Sequence, residues 1–249
     1  MMSNFYDIKH DAGFSLVEMA IVLIILGFVL AALLAPLQAQ RNQLFQTQTD
    51  NTLEDAKKAL LGYAQSKGRL PCPAIAGGNG VEAPLGGGTC TQQIGFLPAV
   101  TLGIQPTDSN GFALDGWNNP IRYAVSQVNT GGAATPDFTT SGDMSTVGIT
   151  ALAPDLRVCA TSTPAGCTAT INLINNAVAV IYSLGPTGAQ ASGGNDETEN
   201  LNAVANVDTV FVSHESTGTS SANGEFDHIV TWISPYVLYN AMIEAGQLH

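Results

Sequence analysis

The sequence predicts an α+β protein in which one long N-terminal helix packs on a C-terminal, mainly antiparallel β-sheet domain. Three observations carry that reading. From Phe14 to Leu37 the chain is apolar, with Glu18 its one charged side chain. Leu44, Phe45, Leu53, Ala56, Leu60, Tyr63 and Ala64 then return at helical spacing. Beyond Gly68 the chain is rich in Gly, Thr, Ser and Asn, a composition of short strands and many turns. A length of 249 residues allows one large domain or a modest pair.

The first half of the helix, 14–37, is long enough to be transmembrane. It spans roughly 36 Å at about 1.5 Å per residue, against a hydrocarbon core of about 30 Å. An acidic residue at mid-bilayer costs about 2.5–3.5 kcal/mol, and less near an end. Glu18 therefore sits near the interface or has a cationic partner. A cut after Gly13 would supply one, because Phe14 would then carry a free amine one helical turn before Glu18, or beside the Glu18 of a neighbouring copy. Pro36 lacks a backbone donor, so a bend or loosening is expected near Leu33 to Leu37. The second half, 38–67, is amphipathic, with one apolar stripe to dock a sheet. Glu54 and Lys58 are spaced for an i,i+4 ion pair. Gly68 supplies the stop and Pro71 follows.

The order Gly13-Phe14-Ser15-Leu16-Val17-Glu18, the apolar run after it and Gly27 in mid-helix resemble the class III signal of type IV pilins and type II secretion pseudopilins. The resemblance implies a pilin-like fold. It makes 1–13 a leader on the cytoplasmic side, although Asp7 and Asp11 leave it less basic than the family's usual leader. It implies that prepilin peptidase cuts after Gly13 and methylates Phe14, and that Glu18 serves assembly with other pilin or pseudopilin subunits. The expected partners are those subunits, the peptidase and an inner-membrane assembly platform. The expected location is a single-pass inner-membrane anchor with residues 68–249 in the periplasm, and a surface filament or periplasmic pseudopilus after assembly. The implied function is a structural filament subunit. A minor, tip-located subunit that binds a surface, DNA or secreted cargo is the second reading, and a membrane-anchored periplasmic enzyme is a remote third.

Charge is uneven along the chain. The net charge is −12, from 20 acidic and 8 basic residues. No Lys or Arg follows Arg157, while Asp196, Glu197, Glu199, Asp208, Glu215, Glu225, Asp227 and Glu244 do. Such a surface argues against a grip on nucleic-acid phosphates. The cysteines form two close pairs, Cys72 with Cys90 and Cys159 with Cys167. Four cysteines allow three connectivities, and local pairing is favoured because each pair closes a short loop containing Gly or Pro. The spacings do not suit a zinc knuckle.

Within 68–249 the chain opens with a Gly- and Pro-rich loop region, in which Asp108-Ser109-Asn110-Gly111 reads as a turn. Asp115-Gly116-Trp117-Asn118-Asn119-Pro120-Ile121-Arg122-Tyr123 is a turn feeding a strand, Ile121 to Val125. It resembles a segment of the major pseudopilin, with Asn118 in place of a glycine. Asparagine tolerates a left-handed backbone, and Asp115 is placed to pair with Arg122. Leu156 to Ala160, Ala177 to Leu184 and Val207 to Ser213 read as further strands, and the resemblance implies another from Asp227 to Trp232. Tyr182-Ser183-Leu184-Gly185 and Asp227-His228-Ile229 resemble the two ends of that family's calcium loop, although Thr187 stands where the family tends to place an aspartate. The resemblance implies a structural Ca2+, with the Leu184 backbone oxygen and carboxylates of Asp196, Glu197, Glu199 or Asp227 as ligands. His214 and His228 lack a fixed metal-ligand spacing and read as ordinary polar residues. Ser234 is a good N-cap and Pro235 a good first residue for a closing helix, 235–246.

The sequence contains no phosphate loop, dinucleotide fingerprint, zincin helix or nucleophile elbow. It reads as a substrate of enzymes, the peptidase and a disulfide oxidant, and no cofactor is expected apart from the calcium.

Overall fold

The structure is a computed structural model. It describes residues 15–130, 134–162, 167, 170–188, 194–201 and 208–248, with 32–39 described in their backbone only. The chain divides into two compact units, Met1–Leu44 and Phe45–His249.

Helix α1 (Leu16–Lys67) ends where the sequence expects. Gly68 takes φ 67° and its N–H donates to the Ala64 carbonyl at 2.8 Å, a left-handed stop that costs a glycine little. The helix continues through Pro36, so the loosening expected near Leu33 to Leu37 does not interrupt it. One proline removes one hydrogen bond, and the turns on either side keep theirs. The expected Glu54–Lys58 pair is replaced by Lys57–Glu54 at 3.4 Å and Lys58–Asp55 at 3.3 Å. Lys57 also donates to Thr231, and Asp55 lies within one turn of Lys58. Exposed pairs of this kind add little stability.

The remaining elements are β1 (Ile94–Phe96), α2 (Ala99–Leu102), β2 (Arg122–Val125), α3 (Asp143–Val147), β3 (Leu156–Cys159), β4 (Asn172–Ala177), β5 (Ala179–Ser183), α4 (Asn195–Leu201), β6 (Val210–Val212), β7 (Ile229–Ile233) and α5 (Pro235–Glu244). They build two sheets. One has four antiparallel strands in the order β1-β2-β5-β7, and the other three in the order β4-β3-β6. The β3–β6 pair is parallel, an exception to the antiparallel expectation.

The four-stranded sheet is buried on both faces. Tyr123, Val125, Ala179, Ile181 and Ile233 share a core with Leu53, Ala56, Leu60 and Ala64 of α1 and with Leu238 and Met242 of α5. Ala124, Val180 and Tyr182 share a second core with Leu156, Val158 and Phe211 of the three-stranded sheet. Alternation along a strand sends successive side chains to opposite faces. Burial of both faces explains why β5 reads as an unbroken apolar run. The predicted strand Ala177 to Leu184 is divided at Val178. Ala177 pairs with Leu156 in one sheet, and Ala179 pairs with Val125 and Ile233 in the other. Apolar residues on both sides of this crossing left no seam for a sequence pattern to show.

Both cysteine pairs are bonded, Cys72–Cys90 and Cys159–Cys167. Near the first, Arg69 and Glu82 are 5% and 6% exposed and meet in a two-bond clasp of 2.8 and 2.7 Å. The amides of Cys72 and Gly86 also donate to Glu82. Tyr63 of α1 receives a bond from Arg69 at 2.8 Å, so the clasp ties the helix to the disulfide loop. Burial pushes the Glu82 carboxyl up, but Arg69 first and the two amides with it more than offset burial, and the carboxyl is held below its ordinary value.

The turn at Asp115 seats directly on α1. The Gly116 N–H donates to Thr49 Oγ1 at 2.9 Å, and Trp117 lies edge-on to Phe45 at 6.1 Å. Asn118 takes φ 66°, the left-handed position expected of it. Asp115 does not pair with Arg122. It accepts from the amides of Trp117 and Asn119 and from the Ser183 hydroxyl, while Arg122 lies over the Phe96 ring at 4.8 Å. A Cβ at position 116 would press into the Phe45 backbone, which cannot rotate away as a side chain could. Gly116→Ala is therefore expected to destabilise the chain by about 1–3 kcal/mol, the range for overpacking, read as a lower midpoint in urea denaturation.

The closing helix, expected over 235–246, runs Pro235–Glu244. The Ser234 side chain accepts from the Val237 amide, and Gly246 takes φ 69°. Strand β1 and helix α2 lie in the stretch read as loop, and α3, α4 and most of β4 lie in stretches to which the sequence pattern assigned no element.

Candidate functional site

The Met1–Leu44 unit holds the residues of the N-terminal signal. Gly13 and Phe14 lie outside the described residues. Glu18 stands in the first turn of α1, where its Oε2 accepts from the Ser15 amide at 2.9 Å and its own amide donates to Ser15 Oγ at 3.2 Å. This is a reciprocal capping box, with a carboxylate at the positive end of the helix dipole. The Ser-x-x-Glu spacing is the local sequence signal of such a box. Every position from 15 to 31 is exposed, including Leu16, Leu23 and Phe28 at 89%, 64% and 75%. Among the described residues no helix is long and apolar enough to cross a membrane. The apolar run read from Phe14 to Leu37 extends at both ends past the residues whose side chains are described.

A family model described as the prokaryotic N-terminal methylation motif matches residues 8–34. The chain carries a prokaryotic N-terminal methylation motif. The match spans Gly13, Phe14 and Glu18, and it agrees with the type IV pilin-like resemblance of the signal. No curated protein and no solved structure matches the chain.

The motif-bearing chain has a second group of expected site residues in its Phe45–His249 unit. Asp196 and Glu197 are neighbours on α4, where successive side chains point about 100° apart, and they meet different surroundings. Asp196 accepts from Thr161 Oγ1, Ser162 N and Ser162 Oγ at 3.1, 2.6 and 2.7 Å and from Asn223 Nδ2 at 3.1 Å. His214 Nε2 lies 3.2 Å away on its other side. Burial pushes the Asp196 carboxyl up, and these donors more than offset it.

Glu197 faces the residues leading into β7. Its Oε1 accepts from the Asp227 amide at 3.0 Å. Burial, with the Asp227 charge second, pushes its carboxyl up to about 7. Asp227 accepts from the amide and hydroxyl of Thr187, both at 3.1 Å. His228 is 4% exposed, and burial pushes its imidazole down to about 4. One ligand atom each from Glu197, Asp227 and His228 lies within 4.8 Å of the others.

The five residues expected to hold calcium thus divide. Glu197 and Asp227 converge. Asp196 is held in its own shell of donors. Glu199, pushed up by burial and by Asp208 and Asp196, stands half-exposed on α4. The Leu184 carbonyl accepts from the Gly188 amide at 3.1 Å. A calcium cage takes six to eight oxygens, and among the described residues the converging group is two carboxylates and an imidazole.

Proposed function

We propose that the chain is a structural subunit of a type IV pilus or type II secretion pseudopilus. Prepilin peptidase cuts it after Gly13 and methylates the new N-terminus at Phe14. The apolar half of α1 holds it in the inner membrane, with the β-rich unit in the periplasm, until an assembly platform draws it into a filament. The observation that carries this reading is the N-terminal methylation motif at residues 8–34. The wholly exposed apolar surface of positions 15–31 supports it, because such a surface requires lipid or other helices around it. In this reading the protein is processed by enzymes and assembled with copies and relatives, and it catalyses nothing itself.

Processing is the direct test. The mature protein is expected to begin at methylated Phe14 by N-terminal mass spectrometry. Gly13→Ala is expected to accumulate as uncut precursor, because the added methyl disturbs the residue on the cleaved bond. A mature chain beginning anywhere else overturns the cleavage site. The copy number of labelled subunit per isolated filament separates a body subunit from a tip subunit.

A further inference from the structure

We infer that Glu197, Asp227 and His228 form a site for a borderline divalent metal ion of the Zn2+ class, which fastens α4 to the chain leading into β7. This inference does not rest on the filament reading.

Two independent observations carry it. The first is convergence: ligand atoms from the three residues lie within 4.8 Å of one another. Zinc takes nitrogen and oxygen ligands at about 2.0–2.2 Å, so two ligands of one ion lie at most about 4.4 Å apart. Small side-chain rotations close that difference. The second is the state of the buried polar atoms. Among the described residues, neither ring nitrogen of His228 has a hydrogen-bond partner, nor does Glu197 Oε2. His228 and Glu197 are 4% and 1% exposed. A buried polar group without a partner costs about 1–3 kcal/mol, and one ring nitrogen of His228 together with Glu197 Oε2 points to a ligand between them that satisfies both.

The surroundings suit a cation. Asp227 is steered by the Thr187 amide and hydroxyl, and Glu197 by the Asp227 amide. Hydrogen bonds of this kind orient metal ligands from behind. No Lys or Arg follows Arg157 in the chain, so that half supplies no positive side chain of its own to two adjoining carboxylates. The donor set selects the ion. Imidazole suits zinc and its neighbours, whereas calcium and magnesium take oxygen. Thr187, where the resembled family has an aspartate, acts here behind Asp227 and is not a ligand in this set.

The full chain, purified in detergent and stripped with a chelator, is titrated with ZnCl2 by calorimetry. One equivalent is expected to bind and to raise the melting temperature, with CaCl2 failing to compete. His228→Leu and Glu197→Gln are each expected to weaken Zn2+ binding by at least the roughly 100-fold that loss of an outer partner can cost. His214→Gln is expected to leave it unchanged. Absence of Zn2+ binding overturns the inference, as does unchanged affinity in both ligand variants. Should either variant fail to fold, X-ray absorption of the Zn2+-loaded wild type decides. Imidazole scattering in the zinc shell supports the site, and a shell without it overturns the site.

Discussion

Glu18→Ala is expected to remain in the membrane fraction and to be lost from filaments. A carboxylate at the start of an apolar helix is costly unless a positive group meets it, and in the proposed mature chain that group is the Phe14 amine of an adjoining subunit. Removing one partner of a desolvated pair costs about 3–5 kcal/mol, and each 1.4 kcal/mol is about tenfold in an equilibrium. Docking of each variant subunit should therefore weaken more than a hundredfold. The capping box adds a rival explanation, because alanine also removes the bond to the Ser15 amide, and a lost cap costs about 0.5–2 kcal/mol. Glu18→Gln separates the two. Glutamine at the third helical position still caps but carries no charge. On the charge reading, Glu18→Gln is absent from purified filaments, as Glu18→Ala is. Normal incorporation of Glu18→Gln would falsify that reading and leave Glu18 a cap.

Arg69→Met is expected to destabilise the folded chain by about 3–5 kcal/mol, because it leaves the Glu82 carboxylate buried without its partner. The readout is the denaturation midpoint at neutral pH. A second substitution, Glu82→Leu, is expected to restore much of the loss, since an apolar pair of similar volume replaces buried ions at little cost. The pH dependence has a definite sign. In the wild type the Glu82 carboxyl is held below its ordinary value of 4.5. Its contribution is therefore complete above that value and is lost as pH falls through the lower folded value. In Arg69→Met the Cys72 and Gly86 amides and the Tyr63 hydroxyl still donate to Glu82, but the lowering by Arg69 is gone, so the carboxyl rises relative to the wild type and acidification costs the variant less. The gap between the two proteins should narrow below about pH 4.5. A constant gap across that range would show that Arg69 acts through packing alone.

Local patterns carried much of the protein. The apolar run, the Gly13-Phe14 junction and Glu18 are contiguous in sequence and need no folding to be recognised. Gly68, Ser234, Pro235 and Gly246 mark helix ends through backbone preferences that neighbouring residues alone create. Asn118 takes the left-handed turn position for the same reason. The cysteine pairs close locally, so spacing was enough to favour them.

Where residues far apart in the chain meet, only the tertiary structure decided. The seam at Val178 exists because Ala177 and Ala179 pair with different sheets, and both sheets want apolar residues. Asp115 turned from Arg122 to Ser183 because the turn packs beside the end of β5. Asp196 and Glu197 are adjacent in sequence, but helical rotation sends one to Thr161, Ser162 and Asn223 and the other to Asp227. His228 looked like an ordinary polar residue because its significance lies in what surrounds it, the Glu197 carboxylate that α4 brings beside the neighbouring Asp227 and, among the described residues, no hydrogen-bond partner for either ring nitrogen. The N-terminal signal could be read residue by residue because its chemistry is local. The acidic site could not, because the identity of an ion depends on which atoms converge, and convergence is a property of the folded chain.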